Sequence, residues 1–413
     1  MKQKLVVIGN GMAGMKTVEE LLQSAPDKYS ITVFGAEPYG NYNRILLSAV
    51  LSGEKNMADI IINNKQWYDD NGLQLHAGHD KAVVSIERGL RKVVARDGTV
   101  AEYDRLLIAT GSKPVVPDIP GINLTGVIGF RDILDVNTML SYCETHQQAV
   151  VLGGGLLGLE AANGLLQRGM DVTVIHNNEI LLNRQLDRQA GQMLQSNLEN
   201  RGVKFKMSAQ ISHLVGNAEQ HIQTVYFSDG SQLPCDLLIM AIGVQPDISL
   251  AKRAGLYCER GIVVNDTLQT YDPCVYAVGE CIQHRGATFG LVAPLFEQAK
   301  VCANHLSAHG MAEYVTLPTA TKLKVTGIQL FSVGNFLGDE QCEQIHYNDV
   351  KQGIYKKLIV KHNQLQGAVL YGDTALGSWY QELIEQKTNI ADQRQALIFG
   401  GPLSGNAAAP SPV

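Results

Sequence analysis

A strand, a glycine-rich turn, a helix and a second strand follow one another twice in this sequence, and this repeat constrains the fold more than any other feature. In the first copy these parts are residues 5–8, 9–14, 15–22 and 30–34. In the second copy they are residues 149–152, 153–158, 159–167 and 172–175. Apolar strands that alternate with helices predict a parallel sheet, so each copy predicts one α/β unit.

Both turns have the spacing Gly-x-Gly-x-x-Gly, which suits a pyrophosphate. Gly9 makes the tight turn, Gly11 lets the backbone approach the phosphates, and Gly14 lets the helix pack close to the strand. The helix N-terminus adds free N–H groups and the positive end of its dipole. Glu37, after the second strand, can accept hydrogen bonds from ribose hydroxyls. The first predicted dinucleotide site comprises Gly9, Gly11, Met12, Ala13, Gly14 and Glu37.

The second turn keeps all its glycines, so we predict a second dinucleotide site there. Its residues are Gly153, Gly155, Leu156, Leu157 and Gly158. The alternative is one working site and one vestigial copy. Two apolar strands that end in glycine, 106–111 and 237–243, close the two copies. Because a proline-rich connector follows the first of them, the chain is expected to leave the first domain near residue 115 and to return near residue 245.

The residues beyond about 320 have a different pattern. The runs 322–325, 355–360 and 368–371 are antiparallel strand candidates with one polar face, and a helix is predicted around 378–385. The fold class is therefore α/β, with two Rossmann-like dinucleotide-binding domains, one inserted in the other, and a small α+β C-terminal domain. The predicted division is 1–115 with 245–320, the inserted 116–244, the C-terminal 321–399, and a flexible tail at 400–413.

The composition excludes several classes of protein. The net charge of −6 gives no basic footprint for a nucleic acid or an anionic membrane surface. No apolar run approaches the length of a membrane span, and the apolar block 4–8 is too short for a secretion signal. The seven cysteines are scattered and odd in number, which favours a cytoplasmic enzyme with reduced thiols.

Two nucleotide folds, the second inserted in the first and followed by a small β-rich domain, resemble the FAD-dependent pyridine-nucleotide reductases. Residues 270–280 support this, since they are similar to the family's strand–glycine–acid motif. In that motif the acid bonds the ribityl chain of FAD, and Glu280 takes its place where aspartate is commoner. The resemblance covers residues 5 to about 300. It implies FAD at the first glycine turn and NADH or NADPH at the second.

Further site residues are expected on this basis. Glu160 matches the acid beside the nicotinamide in similar reductases, and the alternative is that it stabilises the helix dipole. Arg44 and Arg131 are expected near the FAD phosphates or the flavin edge, unless they are ordinary surface arginines. The other expected cofactor-binding residues are Val83, Thr110, Gly111, Gly243, Gly279, Glu280 and Pro294. For Thr110 and Gly111 the alternative is plain packing at a strand end.

The preference between NADH and NADPH depends on the end of the strand 172–175. An acid there would repel the 2′-phosphate of NADPH, but this strand is followed by His176. Arg184 and Arg188 lie further along the chain. The resemblance favours NADH, because histidine occurs at this position in similar sequences, and NADPH stays open. The alternative for His176 is a solvated loop histidine.

Four segments narrow the resemblance, and they are residues 41–48, 279–286, 290–300 and 368–374. Together they are similar to the reductase portion of assimilatory nitrite reductase large subunits, and equally to the FAD-containing electron-transfer subunit of assimilatory nitrate reductase. Nitrite reductases continue into cysteine-rich iron–sulfur and sirohaem regions, whereas the last cysteine here is Cys342. A stand-alone reductase subunit is therefore expected first, and a truncated or split nitrite reductase second.

The cysteines indicate how electrons leave the flavin. Disulfide-reducing relatives place one or two cysteines in the first domain, but residues 41–44 are Asn-Tyr-Asn-Arg. All seven cysteines are therefore interpreted as structural or incidental, and electrons are expected to pass directly from the flavin to a partner. Rubredoxin and ferredoxin reductases usually carry a lysine soon after the serine at position 48, whereas Ala49 follows Ser48 here. The partner implied is the iron–sulfur centre of a nitrate reductase catalytic subunit, and no metal site is expected in the chain itself.

Two other functions stay open at this point. One is a self-contained oxidase or diaphorase that passes electrons to oxygen or a quinone, and the other is a non-catalytic FAD-binding module. The surface that meets an acidic partner is expected to carry Lys322, Lys324, Lys356 and Lys357. A solvated strand face explains these lysines equally well.

Overall fold

The structure is a computed structural model that describes residues 2–308, 310–316, 320–325, 327–394 and 396–400. Its α-helices are α1 (Met12–Ser24), α2 (Leu47–Ser52), α3 (Lys65–Asp70), α4 (Ile133–Thr145), α5 (Leu156–Gln167), α6 (Arg188–Asn200), α7 (Ser249–Arg253), α8 (Val292–Leu306) and α9 (Gly377–Glu385). The predicted tail lies outside the described residues except for residue 400.

The first strands along the chain are β1 (Gln3–Ile8), β2 (Tyr29–Gly35), β3 (Asn41–Tyr42), β4 (Ile61–Asn63), β5 (Gln74–Ala77), β6 (Val83–Glu87), β7 (Lys92–Ala95), β8 (Val100–Glu102), β9 (Arg105–Ile108), β10 (Ser112–Pro114), β11 (Val127–Gly129), β12 (Gln148–Leu152), β13 (Asp171–Ile175) and β14 (Lys204–Lys206). They are followed by β15 (Ile211–Gly216), β16 (Ile222–Phe227), β17 (Gln232–Pro234), β18 (Leu237–Met240), β19 (Val244–Pro246), β20 (Ile262–Val264), β21 (Val275–Ala277), β22 (Ile282–His284), β23 (Thr321–Val325), β24 (Ile328–Gly334), β25 (Glu343–Asp349), β26 (Ile354–Lys361) and β27 (Gln364–Tyr371).

The chain forms two compact units. The first contains the described residues within 1–118, 128–145 and 240–317, and the second contains those within 119–127, 146–239 and 318–413. The second unit therefore combines most of the inserted segment with the C-terminal sheet. The division into three domains and a tail stays a prediction.

The first unit is built on a parallel sheet with the strand order β21-β9-β1-β2-β5. Val7 of β1 pairs with Val33 of β2 on one side and with Leu107 of β9 on the other, and all three side chains are fully buried. A continuous apolar run is required here, because a parallel sheet with helices on its faces exposes neither side. Helices α1 and α8 pack against each other within this unit.

The second unit repeats this topology in the strand order β18-β12-β13-β14. Val151 of β12 pairs with Val174 of β13, as Val7 pairs with Val33 in the first unit. The strands β9-β1-β2-β5 and β18-β12-β13-β14 thus occupy equivalent places. The two predicted Rossmann-like folds are confirmed.

The C-terminal part of the second unit is an antiparallel sheet with the order β23-β24-β27-β26-β25. Helix α9 packs on β24 and β27, with Tyr380 fully buried. The predicted strands and helix of the C-terminal domain are therefore present. Among the residues that the structure describes, no helix is both long and apolar enough to cross a bilayer.

The prediction of one polar face was wrong for β26. Every residue from 355 to 360 is buried, including Lys356 and Lys357, which are 8% and 7% exposed. Each ammonium group is close to a carboxylate, since Lys356 Nζ lies 2.7 Å from Asp373 Oδ2 and Lys357 Nζ lies 3.6 Å from Asp187 Oδ2. These two lysines therefore do not steer a partner from the surface. Lys322 is exposed, and the side chain of Lys324 lies outside the described part of the structure.

Candidate cofactor and active site

The first glycine turn joins β1 to α1, and the fold itself requires two of its glycines. Gly9 has a φ of +113°, and a Cβ there would collide with the carbonyl oxygen of Ala109. Its N–H donates a 2.8 Å hydrogen bond to the carbonyl of Phe34, which closes the turn against β2. A Cβ on Gly14 would lie 2.8 Å from the Gly9 carbonyl oxygen. These contacts pack helix and strand at the distance that only glycine permits.

Gly11 is different, because nothing in the fold demands a glycine there. It is the extended N-cap residue of α1, and no described side chain caps the helix. No described atom beyond its chain neighbours lies within 4 Å of a Cβ placed on it. An open position at the N-cap and the first N–H groups of a helix without a side-chain cap fit the phosphates of a dinucleotide.

The second turn, between β12 and α5, has the same construction. Gly153 has a φ of +126°, and its N–H donates a 2.8 Å hydrogen bond to the carbonyl of Ile175. Gly155 is the extended N-cap of α5, with no described side-chain cap and no described atom beyond its chain neighbours within 4 Å of a Cβ placed on it. Leu156 and Leu157 open the helix and are half-buried, and Gly158 is buried. This turn also fits a dinucleotide phosphate.

Glu37 lies beyond β2, where it was predicted, and it is already engaged by two neighbours. Its Oε2 accepts a 2.6 Å hydrogen bond from the Tyr42 hydroxyl, and its Oε1 forms an ion pair with Arg44. Burial raises the pKa of the Tyr42 phenol, so this hydroxyl remains a donor. Arg44 also donates a 2.9 Å hydrogen bond to the carbonyl oxygen of Arg131. The guanidinium of Arg44 is thus held in place within the first unit and is not a free surface group.

The acid of the third motif lies close to the first turn. Gly279, at a φ of +92°, places its Cα so close to Ala13 that a Cβ would lie 3.0 Å from the alanine methyl. The next residue, Glu280, accepts a 2.7 Å hydrogen bond from the Ser112 hydroxyl and forms an ion pair with Arg131. Hydrogen bonds and ion pairs thus link the predicted residues Glu37, Arg44, Arg131 and Glu280. Gly279, next to Glu280, lies against Ala13 of α1.

The remaining predicted residues of the first unit occupy several places. The Thr110 hydroxyl donates a 2.7 Å hydrogen bond to the carbonyl of Asp247. Gly111 has a φ of +70° and lies against the Arg131 side chain, and Gly243 has a φ of +118°. Pro294 is in the first turn of α8, and Val83 begins β6, half-buried.

Glu160 lies in α5, two residues after Gly158, and is half-buried. Its place on the helix that begins at the second turn agrees with the sequence. Its contact with a nicotinamide stays a prediction.

His176 does not lie in solvent, so the alternative of a solvated loop histidine was wrong. The residue is 9% exposed, and its Nδ1 accepts a 3.2 Å hydrogen bond from the Gly154 N–H. Its Nε2 lies 3.1 Å from the carbonyl oxygen of Ile180, to which the neutral ring donates. Burial lowers the pKa of this imidazole, while the bond to Ile180 acts in the opposite direction.

The cysteines offer no reactive thiolate in the interior. All seven are free, and Cys235, Cys281 and Cys302 are buried. Burial raises the pKa of the Cys281 thiol to about 11 and that of the Cys235 thiol to about 12, and it raises the pKa of Cys302 as well. A protonated thiol is a poor nucleophile and a poor redox relay.

Three residues that support the site were missed from the sequence. Ser112 binds Glu280, Tyr42 binds Glu37, and Gln298 of α8 accepts the N–H of Gly279 at 2.9 Å while fully buried. Each lies in or beside a segment that the sequence singled out. Their partners lie on distant parts of the chain, however, so no local pattern identifies the bonds.

Comparison with known protein families places the chain clearly. Residues 3–305 match the family described as pyridine nucleotide-disulphide oxidoreductase. Residues 319–388 match the rubredoxin NAD+ reductase C-terminal domain.

Individual relatives agree with these families. The chain is 44% identical over 406 residues to nitrite reductase NAD(P)H of Bacillus subtilis (strain 168), a match that covers 98% of this chain and 50% of the relative. It is 43% identical over 405 residues to the assimilatory nitrate reductase electron transfer subunit of the same organism, covering 97% of this chain and 52% of the relative. The chain thus spans about half the length of these curated relatives.

A solved structure shows the same architecture. The NADH:rubredoxin oxidoreductase of Clostridium acetobutylicum superposes with a TM-score of 0.78 at 25% identity, covering 95% of this chain and 97% of that one. FAD and NAD(P)H, the cofactors of this class, fit the two bare turns at Gly11 and Gly155. The chain belongs to the pyridine nucleotide-disulphide oxidoreductase family and is an FAD-dependent NAD(P)H oxidoreductase.

Proposed function

We propose that this chain oxidises NADH by hydride transfer to FAD and passes the electrons singly to the iron–sulfur centre of a partner, the catalytic subunit of an assimilatory nitrate reductase. The main observation in support of this chemistry is the pair of equivalent glycine turns. In each turn the middle glycine has open space around it and begins a helix without a side-chain cap. The similarity to a nitrate reductase electron transfer subunit supports the choice of partner. NADH is the expected donor, NADPH is the alternative, and the cytoplasm is the expected compartment.

The two turns have separate tasks in this proposal. Gly11, Met12 and Ala13 bind the FAD pyrophosphate through backbone N–H groups, and Gly155 to Gly158 do the same for the nicotinamide nucleotide. Bound FAD supplies a ring that takes hydride from reduced nicotinamide and returns electrons one at a time.

Charged residues of the first unit hold FAD in place. Glu37 accepts hydrogen bonds from the ribose hydroxyls of FAD, and Glu280 accepts hydrogen bonds from the hydroxyls of its ribityl chain. Arg44 and Arg131 neutralise phosphate charge. Each arginine is anchored by a carboxylate, Arg44 by Glu37 and Arg131 by Glu280, so its guanidinium is oriented before the cofactor binds. Pre-oriented donors lose less side-chain entropy on binding.

Glu160 orients the nicotinamide from α5. The matched test is Glu160→Gln, with Glu199→Gln, an exposed acid of α6, as the control. We expect Glu160→Gln to slow NADH-driven flavin reduction by about tenfold or more, because a misplaced donor loses near-attack geometry, with FAD content unchanged. Equal rates in both variants would remove Glu160 from the site.

The electrons leave without a thiol relay. The buried cysteines have raised pKa values, so their thiols stay protonated. We therefore expect a one-electron acceptor to collect electrons from the flavin itself.

A second candidate function is the reductase part of a split or truncated NADH-dependent nitrite reductase. The 44% identity to a nitrite reductase, of which the chain covers half, supports this candidate. The 43% identity to the nitrate reductase electron transfer subunit supports the first candidate equally well. A rubredoxin- or ferredoxin-type reductase is the third, supported by the match of residues 319–388 to a rubredoxin reductase domain.

The acceptor can be identified by reconstitution. The purified flavoprotein with NADH is mixed, under argon, with an iron–sulfur and molybdenum nitrate reductase subunit, with a sirohaem nitrite reductase module, or with rubredoxin. The proposal expects nitrate consumption only with the first partner, and none by the flavoprotein alone. Nitrite consumption with the second partner, or fast reduction of rubredoxin only, would transfer the function to the corresponding alternative.

A further inference from the structure

The loop 176–187, between β13 and α6, is hydrogen-bonded to the second glycine turn. The His176 ring is bonded on one side to the Gly154 N–H at 3.2 Å and on the other to the Ile180 carbonyl at 3.1 Å. The ring therefore connects the turn to the middle of the loop. Both ring nitrogens are bonded to backbone groups, so neither is left free to bind a nucleotide.

Leu182 holds the turn at a second point. Its N–H donates a 3.0 Å hydrogen bond to the carbonyl of Gly154, so both polar groups of that glycine are bound by the loop. The backbone of Leu182 has a φ of +50°, a left-handed conformation that leucine rarely adopts, and its side chain is 1% exposed. Such strain persists only where the surroundings fix it.

The far end of the loop is anchored by Asp187. This residue caps α6, because its Oδ1 accepts a 3.1 Å hydrogen bond from the Ala190 N–H. Its Oδ2 accepts a 2.7 Å hydrogen bond from the Tyr355 hydroxyl and lies 3.6 Å from Lys357 Nζ. Asp187 is 7% exposed, so these are buried polar contacts. Both partners belong to β26 of the C-terminal sheet.

The first turn of α6 also packs against the middle of the loop, and so connects Asp187 with Ile180. Gly191 lies so close to the loop that a Cβ would collide with the Ile180 side chain and would lie 3.2 Å from the Leu181 carbonyl oxygen. A shift of the Asp187 cap would therefore move Ile180, which holds His176. A continuous series of contacts thus leads from β26 to the turn.

A buried ion pair adds little stability by itself, since apolar residues of similar volume serve as well. Lys357 and Asp187 are each 9% exposed at their side chains, so both groups are largely shielded from water. Such a network does fix the side chains in one arrangement, because any other arrangement would leave a buried polar group without a hydrogen-bond partner.

We propose that Asp187, held by Tyr355 and Lys357, is a positioning residue for the pyridine-nucleotide site, and that the C-terminal sheet thereby sets the affinity for the nucleotide. This inference rests on the proposed function, in which the turn at Gly155 binds the nicotinamide nucleotide. The ligand class is the reduced and oxidised pyridine dinucleotide. The sheet acts on the site through the loop 176–187.

The test is Tyr355→Phe, which removes one hydroxyl and keeps the ring. The matched control is Tyr371→Phe, since Tyr371 lies on the adjacent strand β27 and donates a 3.4 Å bond to the Met193 carbonyl of the same helix α6. Both variants lose one bond between sheet and helix, but only the first loses a bond to Asp187. Lys357→Met is the second test variant, used where Tyr355→Phe yields no folded protein.

Two quantities are measured on each FAD-loaded protein. One is the dissociation constant of NAD+ by calorimetry, which needs no turnover, and the other is the split between KM for NADH and kcat with ferricyanide. We expect Tyr355→Phe to raise the NAD+ dissociation constant and the NADH KM by about three- to tenfold, the equivalent of one hydrogen bond. We expect kcat and FAD content to stay within about twofold, and Tyr371→Phe to leave both nucleotide constants unchanged.

Other outcomes separate this inference from the function beneath it. Unchanged nucleotide constants in Tyr355→Phe, or equal rises in both variants, would overturn the positioning role alone. A wild-type protein whose flavin is not bleached by NADH or NADPH, and which binds no NAD+, would remove the proposed function and this inference with it.

Discussion

At the scale of single residues, the structure separates glycines that the fold needs from glycines that it does not need. Gly9 is required by its φ of +113° and by the Ala109 carbonyl. Gly11 and Gly155 have ordinary backbone angles and open space around them. A Cβ at either position would meet no described atom beyond its chain neighbours, so the fold does not require glycine there. We propose that the approach of a phosphate does.

This distinction predicts the effect of three alanine substitutions. Gly11→Ala and Gly155→Ala should each lower the free energy of unfolding by about 1 kcal/mol or less, the cost of an N-cap change. Gly11→Ala should purify with little FAD, and Gly155→Ala should keep FAD and lose nucleotide affinity. Gly9→Ala is the control and should fail to fold, because the alanine has no allowed place. Normal FAD content in Gly11→Ala would contradict the assignment of the first turn.

The lowered pKa of His176 predicts a pH effect on stability. Burial holds the pKa of the folded imidazole below its ordinary value of 6.5, so the unfolded chain binds the proton more tightly. Stability from this group is fully present above 6.5 and is lost as the pH falls below it, by at most about 1.4 kcal/mol per unit.

The control for this effect is His176→Gln, which has no titrating ring. Urea unfolding at about pH 7.5 and about pH 5.5 should show a larger loss for the wild type than for the variant. Burial also lowers the pKa values of His76 and His305, but these residues are common to both proteins, so their effects cancel. Equal losses would mean that the ring is not held neutral.

At the scale of elements, the predictable parts are those that local sequence determines. The strands, turns and helices of both nucleotide folds follow from apolar runs and from glycine spacing within about 35 residues. The interior of β26 could not be predicted, since Lys356 and Lys357 are buried beside Asp373 and Asp187, and no local sequence pattern pairs these residues. The role of His176 was missed for the same reason, as its partners are backbone groups whose positions only the folded loop defines.

The buried lysine at Lys356 predicts an asymmetric pair of substitutions. Asp373→Asn leaves a 9%-exposed ammonium without its carboxylate and should lower the free energy of unfolding by about 2 kcal/mol. Lys356→Met removes the charge itself and should change it by less than about 1 kcal/mol. The double variant should recover most of the loss, and urea unfolding measures all three. Equal effects of the two single variants would show that the pair behaves as a surface ion pair.

At the scale of the whole molecule, the proposed function sends electrons from the flavin to the acceptor without a cysteine between them. The seven cysteines are free, and the three buried thiols have raised pKa values. Alkylation of the native protein with iodoacetamide should therefore leave NADH-driven ferricyanide reduction within about twofold of the untreated rate. Loss of ferricyanide reduction with flavin bleaching intact would indicate a thiol between flavin and acceptor.

The central claim is that two nucleotide sites of one chain exchange a hydride, and an anaerobic titration of the FAD-loaded protein tests it most directly. NADH and, separately, NADPH are added while the flavin absorbance is followed. We expect one equivalent of NADH to bleach the flavin completely. Bleaching by NADPH alone would keep the two sites and reverse the donor. A flavin that neither nucleotide bleaches, or a protein that binds no FAD, would contradict the account.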